Sequence, residues 1–251
     1  MKKFEIHEDN DDEMVGSLIS RRTALRLFGG AAGAGTLLAA GKLAGTNAQT
    51  GSPNSALPSC IVRPAMTEGP YFVDEELNRS DVRSDPASKS VRPGAALRLT
   101  FLVSSVGGKG CAPLKDAMVD IWQCDAGGTY SDVQGAAGQK FLRGYQTSDA
   151  KGVASFLTIY PGWYPGRTVH IHFKIRHGTG SNQKEFTSQL FFDDTFTDAV
   201  FKTAPYNTRG ARNTRNAADG IYRNGGSQLL LNTKKDGTGY AATFDIGLNL
   251  G

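Results

Sequence analysis

Two histidines and a tyrosine lie close together in GWYPGRTVHIHFK, residues 162–174. His170 and His172 are two residues apart in an apolar segment that alternates like a β-strand, so both imidazoles are expected on one face of that strand. Tyr164 precedes a Pro-Gly pair, which predicts a turn that could bring its phenol back towards the imidazoles. The segment therefore indicates a metal site that includes a phenol among its ligands.

A second tyrosine, Tyr130, follows a predicted strand in VDIWQCDAGGTYSD, residues 119–132. The two glycines before it permit a tight approach of the backbone. Two phenols and two imidazoles suit Fe(III), a hard and strongly Lewis-acidic ion that makes phenolate a good ligand although a free phenol has a pKa of about 10. Zinc more usually takes histidine, cysteine or carboxylate. Two phenolates and a hydroxide would also neutralise a ferric ion, so the predicted cofactor is Fe(III).

The elements that must position these side chains read as short strands separated by turns. Two segments, 148–152 and 234–239, have turn composition, and only 193–202 has a helical pattern. The chain shows no alternating strand–helix pattern and no internal repeat, which predicts an all-β fold: one antiparallel β-sandwich with long active-site loops and little helix. The predicted strands are 96–105, 117–124, 152–159, 169–176, 185–192 and 240–248.

The beginning of the chain has the pattern of an export signal. Arg21 and Arg22 precede an apolar run rich in glycine and alanine, the layout of a twin-arginine signal. A stable membrane span is not expected after processing, because the run is weakly hydrophobic and is interrupted by Lys42. Twin-arginine routes carry folded proteins, often with a cofactor already bound, so the expected location is the periplasm or the extracellular space.

The predicted domain boundaries are an export signal at 1–48, a linker and N-terminal arm at 49–66, and a β-sandwich domain at 67–251. The chain carries 28 Lys and Arg against 24 Asp and Glu, a net charge of +4. The positive charges are scattered, and the basic segment 209–216 has no interleaved aromatic residues, so no nucleic-acid partner is expected.

The chain has three cysteines, and an odd number in an exported protein suggests one disulfide and one free thiol. Cys60 and Cys111 lie in turn-like sequence, whereas Cys124 lies within an apolar strand pattern. We therefore predict a disulfide between Cys60 and Cys111 and a buried thiol at Cys124.

Three segments together resemble the intradiol ring-cleavage dioxygenases, the family of protocatechuate and catechol dioxygenases. They are DIWQCDAGGTYSD, TIYPGWYPGRTVHIHFKI and FTSQLFF, and the resemblance extends from about residue 67 to residue 192. TEGPYF, which contains Gly69, Pro70 and Tyr71, is similar to the family's substrate-pocket segment. The resemblance implies that these three residues line the substrate pocket.

The resemblance implies Tyr130, Tyr164, His170 and His172 as the ligands of Fe(III). Tyr130 and His170 would be equatorial, and Tyr164 and His172 axial. Tyr160 is a rival ligand, because it also precedes a proline. Alignment of the Pro-Gly pair after Tyr160 with the family's Pro-Gly pair before the ligand favours Tyr164.

The implied activity is cleavage of a catechol-type aromatic diol by O2 to a cis,cis-muconate-type diacid, with both oxygen atoms incorporated. Arg167 would stabilise negative charge on the substrate, Gln189 would be its hydrogen-bonding partner, and Tyr164 would be protonated on leaving the metal. Members of the family often have a longer insertion between the Tyr-Pro pair and the arginine, where this chain has only Gly166. The identity of the diol is therefore not carried over.

Two other classes of protein have partial support from the sequence. Cupin oxygenases also use a His-x-His pair, but a glutamate usually follows it closely, and here the next one is Glu185. The segment TSDAKGVASF, residues 147–156, is similar to the strand–turn–strand unit of transthyretin-like modules. A non-enzymatic transthyretin-like or carbohydrate-binding β-sandwich is thus the alternative prediction.

Overall fold

The computed structural model describes residues 60–107, 110–133 and 135–250. The predicted export signal, 1–48, and most of the predicted linker lie outside these residues. Within the part of the chain that is described, no helix has the length and apolar character needed to cross a membrane.

The described residues form two β-sheets joined by loops and a few short helical segments. The strands are β1 Ala96–Gly107, β2 Gly110–Pro113, β3 Met118–Trp122, β4 Arg143–Thr147, β5 Val153–Ile159, β6 His170–His177, β7 Lys184–Phe191, β8 Lys234–Asp236 and β9 Gly239–Asn249. The α-helices are α1 Asp194–Val200 and α2 Gly220–Arg223, and the 3₁₀ turns are Gly180–Asn182, Tyr206–Thr208, Asn216–Ala218 and Gly226–Leu229.

The first sheet has the order β2-β1-β9-β8, with β5 also paired to β1, and the second has the order β4-β3-β6-β7. The predicted all-β sandwich with little helix is confirmed. It departs from the prediction in one respect, because β1 and β9 are parallel rather than antiparallel. A parallel pair needs a long connection, and most of the domain lies between these two strands.

The predicted strands all form, but β2, β4 and β8 were not predicted. β2 and β8 are short and almost entirely exposed, so they lack the apolar alternation that identifies a strand. β8 lies in the segment that was predicted to be a turn, and it forms one arm of the tight hairpin to β9.

The core lies between the two sheets and is built around aromatic contacts. The ring of Phe101 on β1 lies 5.3 Å from that of Phe173 on β6 and 6.0 Å from that of Phe244 on β9. Ile171 and Ile175 flank Phe173 on β6 and are fully buried. Alternate residues of β6 thus face the core, which directs the intervening ones to the outer face of the second sheet.

The N-terminal arm, which in the described residues runs from 60 to 74, covers that outer face. The Met66 N–H donates to the Thr187 carbonyl on β7 at 3.1 Å, and Asp74 further along pairs with Arg176 of β6 at 2.5 Å. The arm therefore converts the outer face of the second sheet from an exposed surface into a buried polar layer.

The disulfide between Cys60 and Cys111 is present in the structure and joins the arm to β2 across 51 residues. Cys124 is a buried free thiol. Burial raises the pKa of this thiol to about 12, so it stays protonated at neutral pH.

Reduction of the Cys60–Cys111 disulfide is expected to destabilise the protein by about 2–4 kcal/mol, because the bridge closes a long loop in the unfolded chain. The measurement is the midpoint of denaturant unfolding for the oxidised protein with and without reductant, and for a Cys60→Ser/Cys111→Ser double variant. The reduced protein and the double variant should agree. An unchanged midpoint would show that the arm is held by its other contacts alone.

Candidate metal centre

The candidate metal centre lies on the outer face of the second sheet, under the N-terminal arm. His170 and His172 both point to this face because Ile171 between them faces the core. His172 is paired in register with Trp122 on β3 and with Gln189 on β7. The indole of Trp122 stacks on the imidazole of His172 at 5.0 Å with an angle of 11° between the planes, which fixes the orientation of that ring.

Tyr164 returns to this face through a tight turn. Pro165 and Gly166 occupy the two central positions, Gly166 has a φ of +87°, and the Arg167 N–H approaches the Tyr164 carbonyl at 3.5 Å. Proline followed by a residue with positive φ is the signature of a type II turn. The turn brings the Tyr164 hydroxyl to 3.2 Å from His170 Nε2.

Tyr130 is placed by the loop that follows β3. The Asp125 carboxylate accepts from the N–H groups of Gly127 and Thr129 at 2.8 and 3.0 Å, which closes the loop. Gly128 has a φ of +84°, and a Cβ at this position would collide with the Trp163 carbonyl. A glycine is therefore required for the loop of Tyr130 to pack against the loop of Tyr164.

The polar atoms of all four rings converge. His170 Nε2 lies 3.0 Å from His172 Nε2, 3.2 Å from the Tyr164 hydroxyl and 3.5 Å from the Tyr130 hydroxyl. His170 Nδ1 lies 2.6 Å from the Thr168 carbonyl, which can only accept, so Nδ1 carries the proton of the neutral ring. Nε2 of His170 therefore presents a lone pair to the place where the other three atoms meet.

Burial controls the protonation of these rings. It lowers the pKa of both histidines, and the charge of the nearby Arg167 lowers them further, so both imidazoles are neutral at neutral pH. Burial raises the pKa of Tyr130 and Tyr164 above the usual value, and Arg167 opposes this rise. Without a cation the phenols stay protonated, and only a strong Lewis acid would convert them to phenolates.

This donor set fits a ferric ion. Ligand atoms that share one transition-metal ion at about 2 Å lie about 3 Å from each other, close to the distances of His170 Nε2 from the other three polar atoms. Two neutral imidazoles and two ionisable phenols match the preference of Fe(III) for hard anionic oxygen. Among the described residues, no group of three or more histidine, cysteine, aspartate or glutamate side chains could hold a metal ion, so a site here depends on the tyrosines.

Arg167 lies beside this centre and is held from two sides. Its Nε donates to Asp219 Oδ2 at 2.9 Å, and its Nη2 donates to Gln189 Oε1 at 2.6 Å. The Gln189 amide nitrogen donates in turn to the Thr67 carbonyl at 2.9 Å, which fixes the direction of the amide. The structure thus brings Arg167 and Gln189 together, as the sequence suggested.

Two of the three predicted pocket residues, Gly69 and Tyr71, lie against the ligand rings. A Cβ on Gly69, which has a φ of +70°, would be 3.2 Å from His172 Cε1. The ring of Tyr71 stacks on that of Tyr130, with centroids 4.5 Å apart, whereas Pro70 is exposed. The buried Arg143 donates from Nη1 to the Tyr71 carbonyl at 3.0 Å and anchors this segment.

Tyr160, the rival ligand, is not part of this centre. Its side chain is fully buried in the core, where its hydroxyl bonds to the Thr197 hydroxyl at 2.8 Å and its ring packs 4.4 Å from Phe192. The geometry therefore favours Tyr164 as the second phenol.

Several residues that support the centre escaped the sequence interpretation. Trp122 is buried, and it packs on His172 rather than between the sheets. Trp122 follows Ile121 on β3, so strand alternation places its side chain on the opposite face from the core, and this was the signal that could have revealed its position. Arg143 and Asp219 carry no local signal, because they meet the site only through the fold.

Comparison with known proteins places the chain in a family. The dioxygenase family model matches residues 67–227. An intradiol ring-cleavage dioxygenase from Tetranychus urticae is 31% identical, with a TM-score of 0.67 over 76% of this chain and 96% of that one. The dioxygenase domain of a dioxygenase–carbohydrate-binding fusion from Streptomyces sp. SirexAA-E is 28% identical, with a TM-score of 0.55 over 76% of this chain and 100% of that one.

A further relative is the protocatechuate 3,4-dioxygenase beta chain of Burkholderia cepacia. It is 28% identical over 194 residues, which cover 71% of this chain and 76% of the relative. The matched residues contain the four converging rings together with Arg167 and Gln189. These findings argue against the non-enzymatic β-sandwich module, and the chain belongs to the intradiol ring-cleavage dioxygenases, a family of oxidoreductases.

Proposed function

We propose that this dioxygenase binds Fe(III) through Tyr130, Tyr164, His170 and His172 and cleaves a catechol-type aromatic diol with O2. The bond broken would be the one between the two oxygenated carbons, and the product a cis,cis-muconate-type diacid. The observation that carries the proposal is the convergence of two imidazole nitrogens and two phenol oxygens on one buried point.

Bound Fe(III) would supply Lewis acidity that draws electron density from a chelated diol and prepares its ring for reaction with O2. Side chains of the protein would transfer protons and stabilise charge around the bound ion. Burial raises the pKa of the Tyr164 phenol, so its oxygen would be a strong base once released from the metal and could take a proton from a diol hydroxyl. Tyr164 suits this role because, unlike Tyr130, it is only partly buried, next to the exposed Pro165 and Gly166.

Arg167 and Tyr71 would act on the diol itself. The Arg167 guanidinium is fixed by hydrogen bonds to Asp219 and Gln189, so it offers a preorganised positive charge to a substrate that gains negative charge. Tyr71 presents an aromatic wall that stacks on Tyr130 and meets Tyr164 edge-on with centroids 6.2 Å apart. Together they form a site that suits a flat aromatic ring.

We also propose that the enzyme works outside the cytoplasm, in the periplasm or the extracellular space. The twin-arginine pattern at the start of the chain supports this location. The Cys60–Cys111 disulfide supports it independently, because such bridges persist in oxidising compartments. Cell fractionation with N-terminal sequencing of the mature protein is the test.

The function is tested by the visible absorption spectrum and iron content of the purified protein, with and without catechol or protocatechuate. We expect about one iron per chain and a red-brown band from tyrosinate-to-Fe(III) charge transfer that shifts when a diol binds. O2 uptake matched to formation of the diacid would identify the diol that is cleaved. A folded protein that remains colourless after reconstitution with iron would overturn the proposal.

Tyr164→Phe and Tyr160→Phe form a matched pair of variants. Tyr164→Phe should change the charge-transfer band and slow turnover roughly 100-fold, because it removes a ligand and a base. Tyr160→Phe should leave the band unchanged and lower the free energy of unfolding by about 1 kcal/mol, because it removes one buried hydrogen bond. If Tyr160→Phe altered the spectrum and Tyr164→Phe did not, the ligand assignment would be wrong.

Gly69→Ala should weaken iron binding roughly tenfold, because the new methyl group would press on the His172 ring. Gly237→Ala is the control, since Gly237 also has positive φ, +57°, but has open space around it. Both variants bear the backbone strain of a left-handed residue, which melting temperature reports. Equal iron affinity in the two variants would show that Gly69 does not shape the metal centre.

A further inference from the structure

Asp219 is a carboxylate that makes its contacts entirely inside the protein, and its side chain is 0% exposed. Oδ2 accepts from Arg167 Nε at 2.9 Å and from the Thr168 N–H at 2.8 Å. Oδ1 accepts from the Tyr222 N–H at 2.9 Å at the start of α2. One buried carboxylate thus binds the Arg167 side chain, the backbone just before β6 and the first turn of α2.

The Thr168 contact extends this arrangement to a metal ligand. The Thr168 carbonyl accepts the Nδ1–H of His170 at 2.6 Å, and the Thr168 hydroxyl donates to Asn216 Oδ1 at 2.6 Å. Asp219 therefore holds the N–H of Thr168, and the carbonyl of the same residue sets the tautomer of His170. The carboxylate itself makes no hydrogen bond to His170, so its direct effect near the site is on Arg167.

Asp219 is charged in the folded protein. Burial acts to raise its pKa, but the charge of Arg167 and the hydrogen bonds from Tyr222 and Thr168 outweigh burial, and the pKa lies below the usual value. The anion and the guanidinium form a hydrogen-bonded pair in which both partners have defined geometry. Removal of either partner from such a buried pair lowers the free energy of unfolding, because the remaining charge is left buried without its partner.

We propose that Asp219 is a positioning residue for the dioxygenase reaction. Its carboxylate holds the Arg167 guanidinium against Gln189 and beside the four ligand rings, where the cation can face the bound diol. The inference rests on the proposed function, because Arg167 is assigned there to the substrate. Asp219 itself touches neither the substrate nor the ligand atoms and acts through Arg167.

A purely structural role is the competing explanation, since Asp219 also caps α2. Asp193 provides the matched comparison: its carboxylate caps α1 by accepting from the Phe196 N–H at 2.8 Å, and the residue is exposed. Asparagine is an effective N-cap, so both aspartate-to-asparagine changes can keep the cap through the amide oxygen. At Asp219 the amide nitrogen would then replace Oδ2, which removes the negative charge and also the acceptor for Arg167 and Thr168. The two variants then differ in the contact with Arg167.

The test uses the iron-loaded protein with catechol as substrate and compares Asp219→Asn, Asp193→Asn, Arg167→Gln and the Asp219→Asn/Arg167→Gln double variant. We expect Asp219→Asn to lower kcat roughly tenfold while KM changes by less than about threefold. Iron content and the visible band should stay close to wild type, and Asp193→Asn should match wild type throughout. Adding Asp219→Asn to Arg167→Gln should lower kcat no further, because Asp219 acts through the arginine.

Unfolding of the metal-free variants provides a readout that needs no activity. The double variant should unfold at a higher denaturant concentration than the summed losses of the two single variants predict, because each single change leaves one charge buried alone. Additive losses in both kcat and unfolding would overturn the inference. A colourless, inactive wild type would instead overturn the proposed function, whereas an active wild type with an unchanged Asp219→Asn variant would overturn only the role of Asp219.

Discussion

The two-residue repeat of β6 is the constraint on which the rest of the molecule depends. Ile171, Phe173 and Ile175 must face the core for the two sheets to pack. The same alternation forces His170 and His172 onto the opposite face. The apolar residues that stabilise the sandwich therefore also decide where the candidate metal centre lies, and a shift of one residue in register would destroy both.

An outer sheet face that carries imidazoles needs a cover, and the chain provides it from three directions. The N-terminal arm brings Gly69 and Tyr71, the loop after β3 brings Tyr130, and the turn before β6 brings Tyr164. These segments contact one another as well as the sheet. The site is thus assembled from loops, but each loop rests on a strand or on another loop, and this gives the four rings fixed positions.

The sequence was most informative where chemistry and local geometry coincide. His170 and His172 could be assigned to one face from spacing alone, and the turn at Tyr164 from its Pro-Gly pair. The choice between Tyr160 and Tyr164 could not be made from residue types, because both precede proline, and the partner that holds Tyr160 in the core, Thr197, is 37 residues away. Likewise, Asp219 is 52 residues from Arg167, and no local pattern pairs them.

The parallel pairing of β1 with β9 has a consequence for how this protein is made. Leu97 is aligned with Tyr240, about 140 residues further along, so the central pair of the first sheet cannot form until residues 239–249 have been synthesised. Folds dominated by such distant pairings form slowly. The sandwich can therefore close only after β9 has been synthesised, whereas β3, β4, β6 and β7 of the second sheet, with the side chains of the candidate metal centre that they carry, are complete earlier in the chain.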